Sequence, residues 1–283
     1  MITFFTTPKA FQGHIGIIQT NALTSWSCLT PKPEVILLGN DQGVKEAAEQ
    51  FQFRHLPLES PGIPVLSEIF EAARAAASHD YLCFINADII LLDDFMPTFM
   101  QLSQQFEKFL MVSSRWNLDI QTILPLENVT DRTNLRNKAV QTHDMYPAGG
   151  TDFFVFHKDM FQTVPPFLLG RGYWDNWLMY QAKQENAPVI DVTADVIAVH
   201  QNHDYSHIKG VRKGDNDAEA VFKAAEGKRN LELAGGQKNI YTNYDADYVF
   251  IKGQFYKSWN LKFIFRRLKS SMRRLKIRLI SQK

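Results

Sequence analysis

The aspartate Asp88 stands where an apolar run of the sequence stops. The residues YLCFI, at 81–85, are followed by NAD, at 86–88, and then by a second apolar run, IILL. A carboxylate at the tip of a buried strand is costly unless a cation meets it, and Mg²⁺ or Mn²⁺ takes one or two carboxylates together with phosphate oxygens and water. Asp88 therefore indicates either a divalent-cation site or a capped turn. The pair Asp93-Asp94 is expected to begin the next helix rather than to bind a ligand.

Histidines and basic residues cluster late in the chain. The segment after the strand-like run VIAV carries His200, His203, His207, Lys209 and Arg212. A histidine completes a metal shell, and cationic side chains bind phosphate. The cluster indicates a metal and phosphate site if it meets the first aspartate in one cleft, and otherwise an ordinary set of core and surface residues.

The aromatic segment GYWDNW, at 172–177, places Asp175 between Trp174 and Trp177. Tryptophan rings offer faces that stack on sugars, and a carboxylate among them is suited to accept a proton. The alternative is an aspartate near a helix N-terminus that is favoured by the helix dipole. A chemical function requires that this group, Asp88 and the histidines meet in one cleft.

Alternating strand-like and helical segments must position these groups. Strands are predicted at ITFFTTP, EVILLG, FRHLPL, YLCFI, FLMVSSRW and VIDVTADVIAVHQN, and helices at HIGIIQTNALTSWSCL, GVKEAAEQF, VLSEIFEAARAAASH and DFMPTFMQLSQQFEKF. This alternation predicts an α/β fold with a mostly parallel sheet covered by helices on both faces. Ligands of such sheets bind at the carboxyl ends of the strands, where Asp88 is expected to lie.

Composition narrows the class of protein. The chain has 283 residues, of which 45% are hydrophobic, enough for a large core. Neither an export-signal pattern nor a run of about 18 apolar residues is visible, and Cys28 and Cys83 lack partners at metal-ligand spacing. We therefore expect a globular cytoplasmic protein with reduced cysteines.

The net charge of +1 hides a basic tail. Nine of the 31 Lys and Arg residues lie in 262–283, which has no acidic residue, and this leaves 22 basic against 30 acidic residues elsewhere. Apolar residues recur in the tail at three- and four-residue steps, as is typical of a basic amphipathic helix. We expect it to bind an anionic membrane surface, on the inner face of the membrane. A helix docked on the body or a disordered tail is the alternative, and no nucleic-acid partner is expected.

The order of these motifs resembles the GT-A glycosyltransferases, in particular family 2-like bacterial enzymes. The D-x-D motif of that family, at the end of the fourth strand, is matched by the NAD letters at 86–88. Its glycine pair before an aromatic stretch is matched by Gly149-Gly150 in AGGTDFFVF. Its catalytic carboxylate is matched loosely by Asp175, and its late metal-binding histidine by His200.

The resemblance implies roles for particular residues. It implies donor contacts at Thr6, Thr7, Pro8, Asn40, Asp41, Asn86, Lys209 and Arg212, and acceptor or sugar contacts at Gly149, Gly150, Trp174 and Trp177. It implies Mn²⁺ or Mg²⁺ at Asp88 and His200, with Asn86 in place of the first Asp of the motif. Asp175 would be the base of an inverting reaction, whereas in a retaining one Asp152 or Asp175 would lie beneath the anomeric carbon.

The resemblance also implies an activity and a domain plan. The activity is transfer of a sugar from a nucleotide-diphosphate sugar to a hydroxyl of a glycan or glycolipid. The plan is a domain over 1–250, made of a nucleotide-binding half at 1–116, a long loop or insertion at 117–147 and a catalytic half at 148–250, followed by the tail at 251–283.

Three rival functions differ in what they require. A nucleotidyltransferase of similar fold is expected to have a glycine-rich, arginine-containing loop after the first strand, where TTPKAFQGH has one glycine and no arginine. A dinucleotide-dependent dehydrogenase requires G-x-G-x-x-G at the same turn, and this motif is absent. A carbohydrate-binding or scaffold protein that has lost catalysis has its best support in Asn86, which stands in place of the first Asp of the motif.

Overall fold

A computed structural model describes residues 1–59, 62–146, 150–203 and 224–258. The α-helices of this part are α1 Gly13–Ser27, α2 Val44–Phe51, α3 Leu66–Ala76, α4 Phe95–Gln105, α5 Val129–Thr142, α6 Trp174–Gln184 and α7 Ala225–Leu233. The strands are β1 Ile2–Thr6, β2 Glu34–Leu38, β3 Arg54–Leu56, β4 Tyr81–Ile85, β5 Ile89–Ile90, β6 Leu110–Val112, β7 Arg115–Leu118, β8 Phe153–His157, β9 Val189–Asp191, β10 Ala198–Gln201, β11 Tyr248–Ile251 and β12 Gln254–Lys257. Two short 3-10 turns span Gln237–Asn239 and Asn243–Asp245.

The main sheet has nine strands in the order β12-β11-β9-β6-β8-β4-β1-β2-β3. β4, β1, β2 and β3 run parallel to their neighbours in that group, whereas β8 runs antiparallel to both β4 and β6. β4 shows why the sheet is covered on both faces. Its Cys83 and Ile85 pack in the core with α1 and α4, and Leu82 and Phe84 pack on the other face with α3 and α6. The predicted α/β fold with a mostly parallel sheet is confirmed.

A second sheet has three strands, in the order β5-β10-β7. β5 follows the turn at 86–88 and pairs antiparallel with β10, so that His200 lies opposite Ile89. β10 in turn pairs parallel with β7. The segment VIDVTADVIAVHQN, predicted as strand, divides between β9 of the main sheet and β10 of this small sheet. The small sheet thus brings a histidine-bearing strand to the turn that carries Asp88.

The segment 117–147 was predicted to be a long loop or insertion, and the loop alternative was wrong, because this segment contains α5. Asn128 caps the helix, since its side chain accepts a hydrogen bond from the backbone N–H of Thr130. The face of α5 that packs inward has few apolar residues, and it includes the buried Arg132, whose Nε lies 3.0 Å from Asp93 Oδ1. Apolar periodicity cannot detect a helix that docks through an ion pair.

The pair Asp93-Asp94 precedes α4, as expected, but it also forms ion pairs with arginines of α5, which was not expected. Asp94 is the residue before α4, and its carboxylate makes no cap hydrogen bond. Instead, Asp94 Oδ2 accepts from Arg136 Nε at 3.2 Å and from the backbone N–H of Ile197 at 3.3 Å. Burial, which outweighs the nearby arginine, raises the pKa of Asp94 to about 6.

The hairpin of β11 and β12 corrects the predicted boundary at residue 250. The main sheet continues through β12 to Lys257, so the segment 251–257 is an edge hairpin rather than the start of the basic tail. This boundary depends on the pairing of β11 with the distant strand β9, which composition cannot predict. The predicted amphipathic helix within 262–283 lies outside the described residues. Among the described helices, none is long and apolar enough to cross a bilayer.

Candidate active site

Asp88 lies in the turn between β4 and β5, and its carboxylate faces two histidines. Its Oδ2 is 3.0 Å from His203 Nε2 and 3.6 Å from His200 Nε2. His200 is buried in β10, and His203 follows two residues after that strand ends. The other oxygen, Asp88 Oδ1, is buried and has no hydrogen-bond partner among the described residues. The predicted meeting of Asp88 with the late histidines is therefore what the structure shows.

The surroundings set the protonation states of this cluster. Burial raises the pKa of Asp88, but the charges of His200 and His203 and the hydrogen bond from His203 outweigh it, so this pKa lies well below its usual range. Burial lowers the pKa of His200, more than the neighbouring carboxylate raises it. Asp88 is thus ionised at neutral pH, and His200 is neutral, which are the forms that bind a metal.

The donor set fits a divalent cation. One ligand atom from each of Asp88, His200 and His203 lies within 4.8 Å of the others. Imidazole nitrogens are poor ligands for Mg²⁺, which prefers oxygen, whereas transition-metal ions accept mixed nitrogen and oxygen sets. The cluster therefore suits a transition-metal ion better than Mg²⁺. The sequence placed His203 in the histidine cluster but assigned it no metal contact; its spacing three residues after His200 is the signal.

A second buried group centres on Asp152, directly before β8. Its Oδ1 accepts from Asn86 Nδ2 at 2.8 Å, and its Oδ2 accepts from Arg115 Nη1 at 2.9 Å. The backbone N–H of Asn86 also donates to the carbonyl oxygen of Asp152, at 2.9 Å. Asn86 therefore acts as a donor toward a carboxylate, a contact that an ionised aspartate at this position could not make. This is a physical reason for the departure from D-x-D.

Replacing Asn86 by aspartate is consequently expected to destabilise the chain, although it restores the motif. Two carboxylates would then face each other where a hydrogen bond now joins Asn86 and Asp152, and the expected loss is about 1–3 kcal/mol in the free energy of unfolding. Urea unfolding at pH 7 with a metal chelator present measures it. Asn86→Ala, which removes the donor without adding charge, is the matched control and should lose less. An Asn86→Asp variant as stable as the wild type would contradict this reading of the contact.

Gly150 is needed for packing around Arg115. A Cβ atom at Gly150 would lie 2.2 Å from Cδ1 of Tyr146, so no larger residue fits without moving that ring. The ring of Tyr146 lies 4.6 Å from the guanidinium carbon of Arg115. Gly150 therefore keeps Tyr146 against the arginine that binds Asp152. A sugar contact of Gly150 stays a prediction, and Gly149 lies outside the described residues.

Asp175 lies in the first turn of α6 and is the third acidic residue of the site. Its Oδ1 is buried with no hydrogen-bond partner among the described residues. Burial raises the pKa of Asp175 to about 7; the backbone N–H of Asn176 opposes the shift, and the charge of Asp152 adds to it. A carboxyl with a pKa near 7, and with an oxygen that has no hydrogen-bond partner among the described residues, is suited to accept a proton at neutral pH.

The predicted sugar contacts of Trp174 and Trp177 were wrong. Both indoles are buried, with exposed fractions of 5% and 7%. Trp174 packs edge-on against Phe84 at 5.3 Å between ring centroids, and Trp177 packs against Phe167 at the same separation. The two rings belong to the core between α6 and the sheet, because α6 presents them to strands that bury apolar side chains on that face.

Apart from Asn86, which follows β4, the predicted donor residues that the structure describes lie at the carboxyl ends of β1 and β2. Thr6 ends β1, and the buried Oγ1 of Thr7 has no partner in the described part of the chain. Pro8 is buried, and Asn40 and Asp41 are exposed just after β2. These positions share an edge of the sheet with Asp88, since β1 runs parallel to β4 and β2. Lys209, Arg212 and His207 lie outside the described residues.

Comparisons with known proteins identify the fold. No protein-family model and no curated protein sequence matches the chain. Among solved structures, glucosyl-3-phosphoglycerate synthase from Mycobacterium tuberculosis, in complex with Mn²⁺, UDP and phosphoglyceric acid, matches with a TM-score of 0.51 and 15% identity, over 93% of this chain and 88% of that one. TarS 1–349 from S. aureus, in complex with UDP-GlcNAc, matches with a TM-score of 0.52 and 12% identity, over 84% and 72%. Both are GT-A glycosyltransferases. This chain has the GT-A fold. At these identities the likeness establishes the GT-A fold, and the roles of individual side chains rest on the geometry of this chain.

Proposed function

We propose that this GT-A chain is a glycosyltransferase that moves a sugar from a nucleotide-diphosphate sugar to an acceptor hydroxyl. One observation carries the proposal. Asp88, held between two histidines at the end of β4, is two residues from Asn86, which binds Asp152 beside the protonatable Asp175. The chain thus offers a cation site and a candidate base in one region, as such a transfer requires.

Asp88, His200 and His203 would hold the cation, for which Mn²⁺ is our proposal. A bound cation supplies positive charge that stabilises a leaving diphosphate. The M. tuberculosis synthase has also been solved in complex with Mn²⁺ and UDP-glucose, which supports the same classes of ligand here. Lys209 and Arg212 remain proposed phosphate contacts, from the sequence alone. Thr6, Thr7, Pro8, Asn40 and Asp41 remain proposed contacts of the donor.

Asp175 is the proposed base of an inverting reaction. The acceptor oxygen would attack the anomeric carbon as its proton passes to Asp175 Oδ1, and the bond from that carbon to the diphosphate would break. Asp152 is less suited to act as a nucleophile, because Asn86 and Arg115 each donate a hydrogen bond to one of its oxygens. Asp152 and Arg115 instead act on the pKa of Asp175, which the charge of Asp152 raises and the charge of Arg115 lowers.

The proposed acceptor is a glycan or glycolipid. The basic segment 262–283 supports an acceptor at a membrane, because Lys and Arg near an anionic lipid surface each contribute about 1 kcal/mol of binding. On this proposal the protein works on the cytoplasmic side as a peripheral protein. Sedimentation with vesicles that contain anionic phospholipid checks it, and equal recovery with and without residues 262–283 would count against it.

A screen of nucleotide sugars tests the proposed function. Thermal unfolding with each donor, with and without Mn²⁺, should show one donor that raises the unfolding temperature more when the ion is present, since a ligand stabilises the state that binds it. That donor should then support transfer to an acceptor. Stabilisation by free sugars without nucleotide would indicate a carbohydrate-binding protein. Release of pyrophosphate from a nucleoside triphosphate and a sugar phosphate would indicate a nucleotidyltransferase.

A further inference from the structure

Asn243, in the 3-10 turn at Asn243–Asp245, is a buried amide that joins two parts of the chain. Its side chain is 4% exposed. Asn243 Nδ2 donates to Ser114 Oγ at 3.1 Å, and Asn243 Oδ1 accepts from Thr151 Oγ1 at 2.8 Å. Both contacts span more than 90 residues of sequence. A buried amide is costly to leave unpaired. The two hydrogen bonds of Asn243 therefore hold Ser114 and Thr151 at a set distance from each other.

The two hydroxyl residues directly precede the charged pair of the site. Ser114 comes before Arg115, and Thr151 comes before Asp152. Ser114 and Thr151 also face each other in an isolated antiparallel bridge. The amide of Asn243 therefore links the residues that directly precede Arg115 and Asp152, whose side chains form a 2.9 Å ion pair.

The same short segment also holds the helix that carries Asp175. Asn176 Nδ2 donates to the carbonyl oxygen of Tyr241 at 2.7 Å, and the backbone N–H of Tyr241 donates back to the carbonyl oxygen of Asn176 at 3.3 Å. The turn is itself braced, because the backbone N–H of Thr242 donates to Asp245 Oδ2 at 3.0 Å. Residues 241–245 thus contact the sequence neighbours of Arg115, Asp152 and Asp175 together.

We propose that Asn243 is a positioning residue that holds the Arg115–Asp152 pair in place beside Asp175. The inference rests on the proposed function, in which Asp175 accepts the proton. The described hydrogen bonds of the Asn243 side chain go to Ser114 and Thr151. Its effect passes through Ser114 and Thr151, which fix where the two charged side chains begin. Displacements of 1 Å in such supporting contacts lower turnover by about 10²-fold.

A matched pair of variants at Thr151 tests the proposal. Thr151→Val keeps the shape of the side chain and removes the hydroxyl that donates to Asn243, whereas Thr151→Ser keeps the hydroxyl. We expect Thr151→Val to lower kcat for transfer by about 10- to 50-fold with a donor KM within about 2-fold of wild type, and Thr151→Ser to retain more than about half of kcat. Asn239→Ala is the control, because Asn239 Nδ2 donates only to the carbonyl oxygen of Ala234 among the contacts described.

A second readout does not depend on transfer. Carboxyl carbon NMR follows the titration of Asp175, identified by its loss in Asp175→Asn. Among the described residues, Asp152 and Arg115 are the charged groups that shift the pKa of Asp175. If the Arg115–Asp152 ion pair loosens, Arg115 compensates less of the negative charge of Asp152, and that charge raises the pKa of Asp175 further. Thr151→Val should therefore raise the titration midpoint of Asp175 by about 0.5 pH unit or more. Thr151→Ser should leave the midpoint unchanged.

The outcomes separate the two proposals. A wild-type chain that transfers no sugar overturns the proposed function, and the NMR titration still reports on Asn243. Equal losses in Thr151→Val and Thr151→Ser, or a changed unfolding temperature with unchanged kcat and an unchanged midpoint, would overturn the positioning role. A fall in kcat with the midpoint shift, in Thr151→Val alone, supports it.

Discussion

Replacing Asp88 by asparagine should abolish Mn²⁺ binding and lower sugar transfer by about 10³-fold. Asp88 is the one carboxylate of the three-residue cluster found among the described residues. The variant leaves two imidazoles and an amide, which carry no negative charge to hold a hard divalent ion. Calorimetric titration with Mn²⁺ measures the loss of binding, and steady-state transfer assays measure the loss of turnover.

Asp93→Asn provides the control for this result. Asp93 follows soon after Asp88 in the same segment, but its carboxylate is half exposed and binds Arg132 of α5. It should bind Mn²⁺ with wild-type affinity and retain transfer. Wild-type Mn²⁺ affinity in Asp88→Asn would show that the cluster is not the metal site, whatever happens to turnover.

The second large effect concerns Asp175→Asn, which should lower kcat by about 10²- to 10⁴-fold with little change in donor KM. The amide cannot accept the proton of the acceptor hydroxyl. In the wild type, kcat/KM should rise with pH through about 7, where Asp175 loses its own proton. The residual activity of the variant should lack that rise. Turnover measured between pH 5.5 and 8.5, a range chosen about the pKa, checks both statements.

The same residue links stability to pH. Because folding raises the pKa of Asp175 from 3.8 to about 7, the folded state favours the protonated form. The free energy of unfolding is therefore not reduced by Asp175 below the pKa of the unfolded chain, 3.8, and it falls as the pH rises toward the folded pKa of about 7. One pKa unit corresponds to about 1.4 kcal/mol, so the loss amounts to about 4 kcal/mol. Asp175→Asn should therefore unfold at higher urea concentration than the wild type at pH 8.5, and the difference should shrink toward pH 4.

Asp131→Asn is the matched control for this pair of measurements. Asp131 also lies in the first turn of a helix, α5, where the helix dipole favours an acidic group. Its loss should cost about 0.3–1 kcal/mol and leave turnover unchanged. If Asp175→Asn instead behaved like Asp131→Asn, with a small loss of stability at neutral pH and normal turnover, Asp175 would be an ordinary residue at a helix N-terminus.

Several features could be predicted from local sequence because their causes are local. The apolar run of β4 is buried on both faces, and such a run indicates a central strand of an α/β sheet whatever surrounds it. α3 follows from its apolar spacing, and Asp88 is notable because a carboxylate ends that buried run. The histidine cluster in and after β10 was found by residue type, the rule that ligands bind at the ends of strands placed only Asp88, and the pairing of Asp88 with His200 was implied by the family resemblance.

Other features depended on contacts between distant residues. α5 escaped prediction because its buried residues include Arg132 beside only two apolar side chains, Leu135 and Ala139. The two tryptophans near Asp175 looked available for sugars, because only their packing against Phe84 and Phe167 shows them to be buried. The role of Asn86 was also hidden, since its partner Asp152 lies 66 residues away.

The sequence by itself determined the α/β class, the strand that ends at Asp88, and the residue types of the site. These depend on local apolar period and on the cost of burying a charge. Only the tertiary structure decided that His203 contacts Asp88, that Asn86 donates to Asp152, and that Asn243 joins the segments behind Arg115 and Asp152. Each of these is a contact between distant segments, whose distance and direction the folded backbone sets.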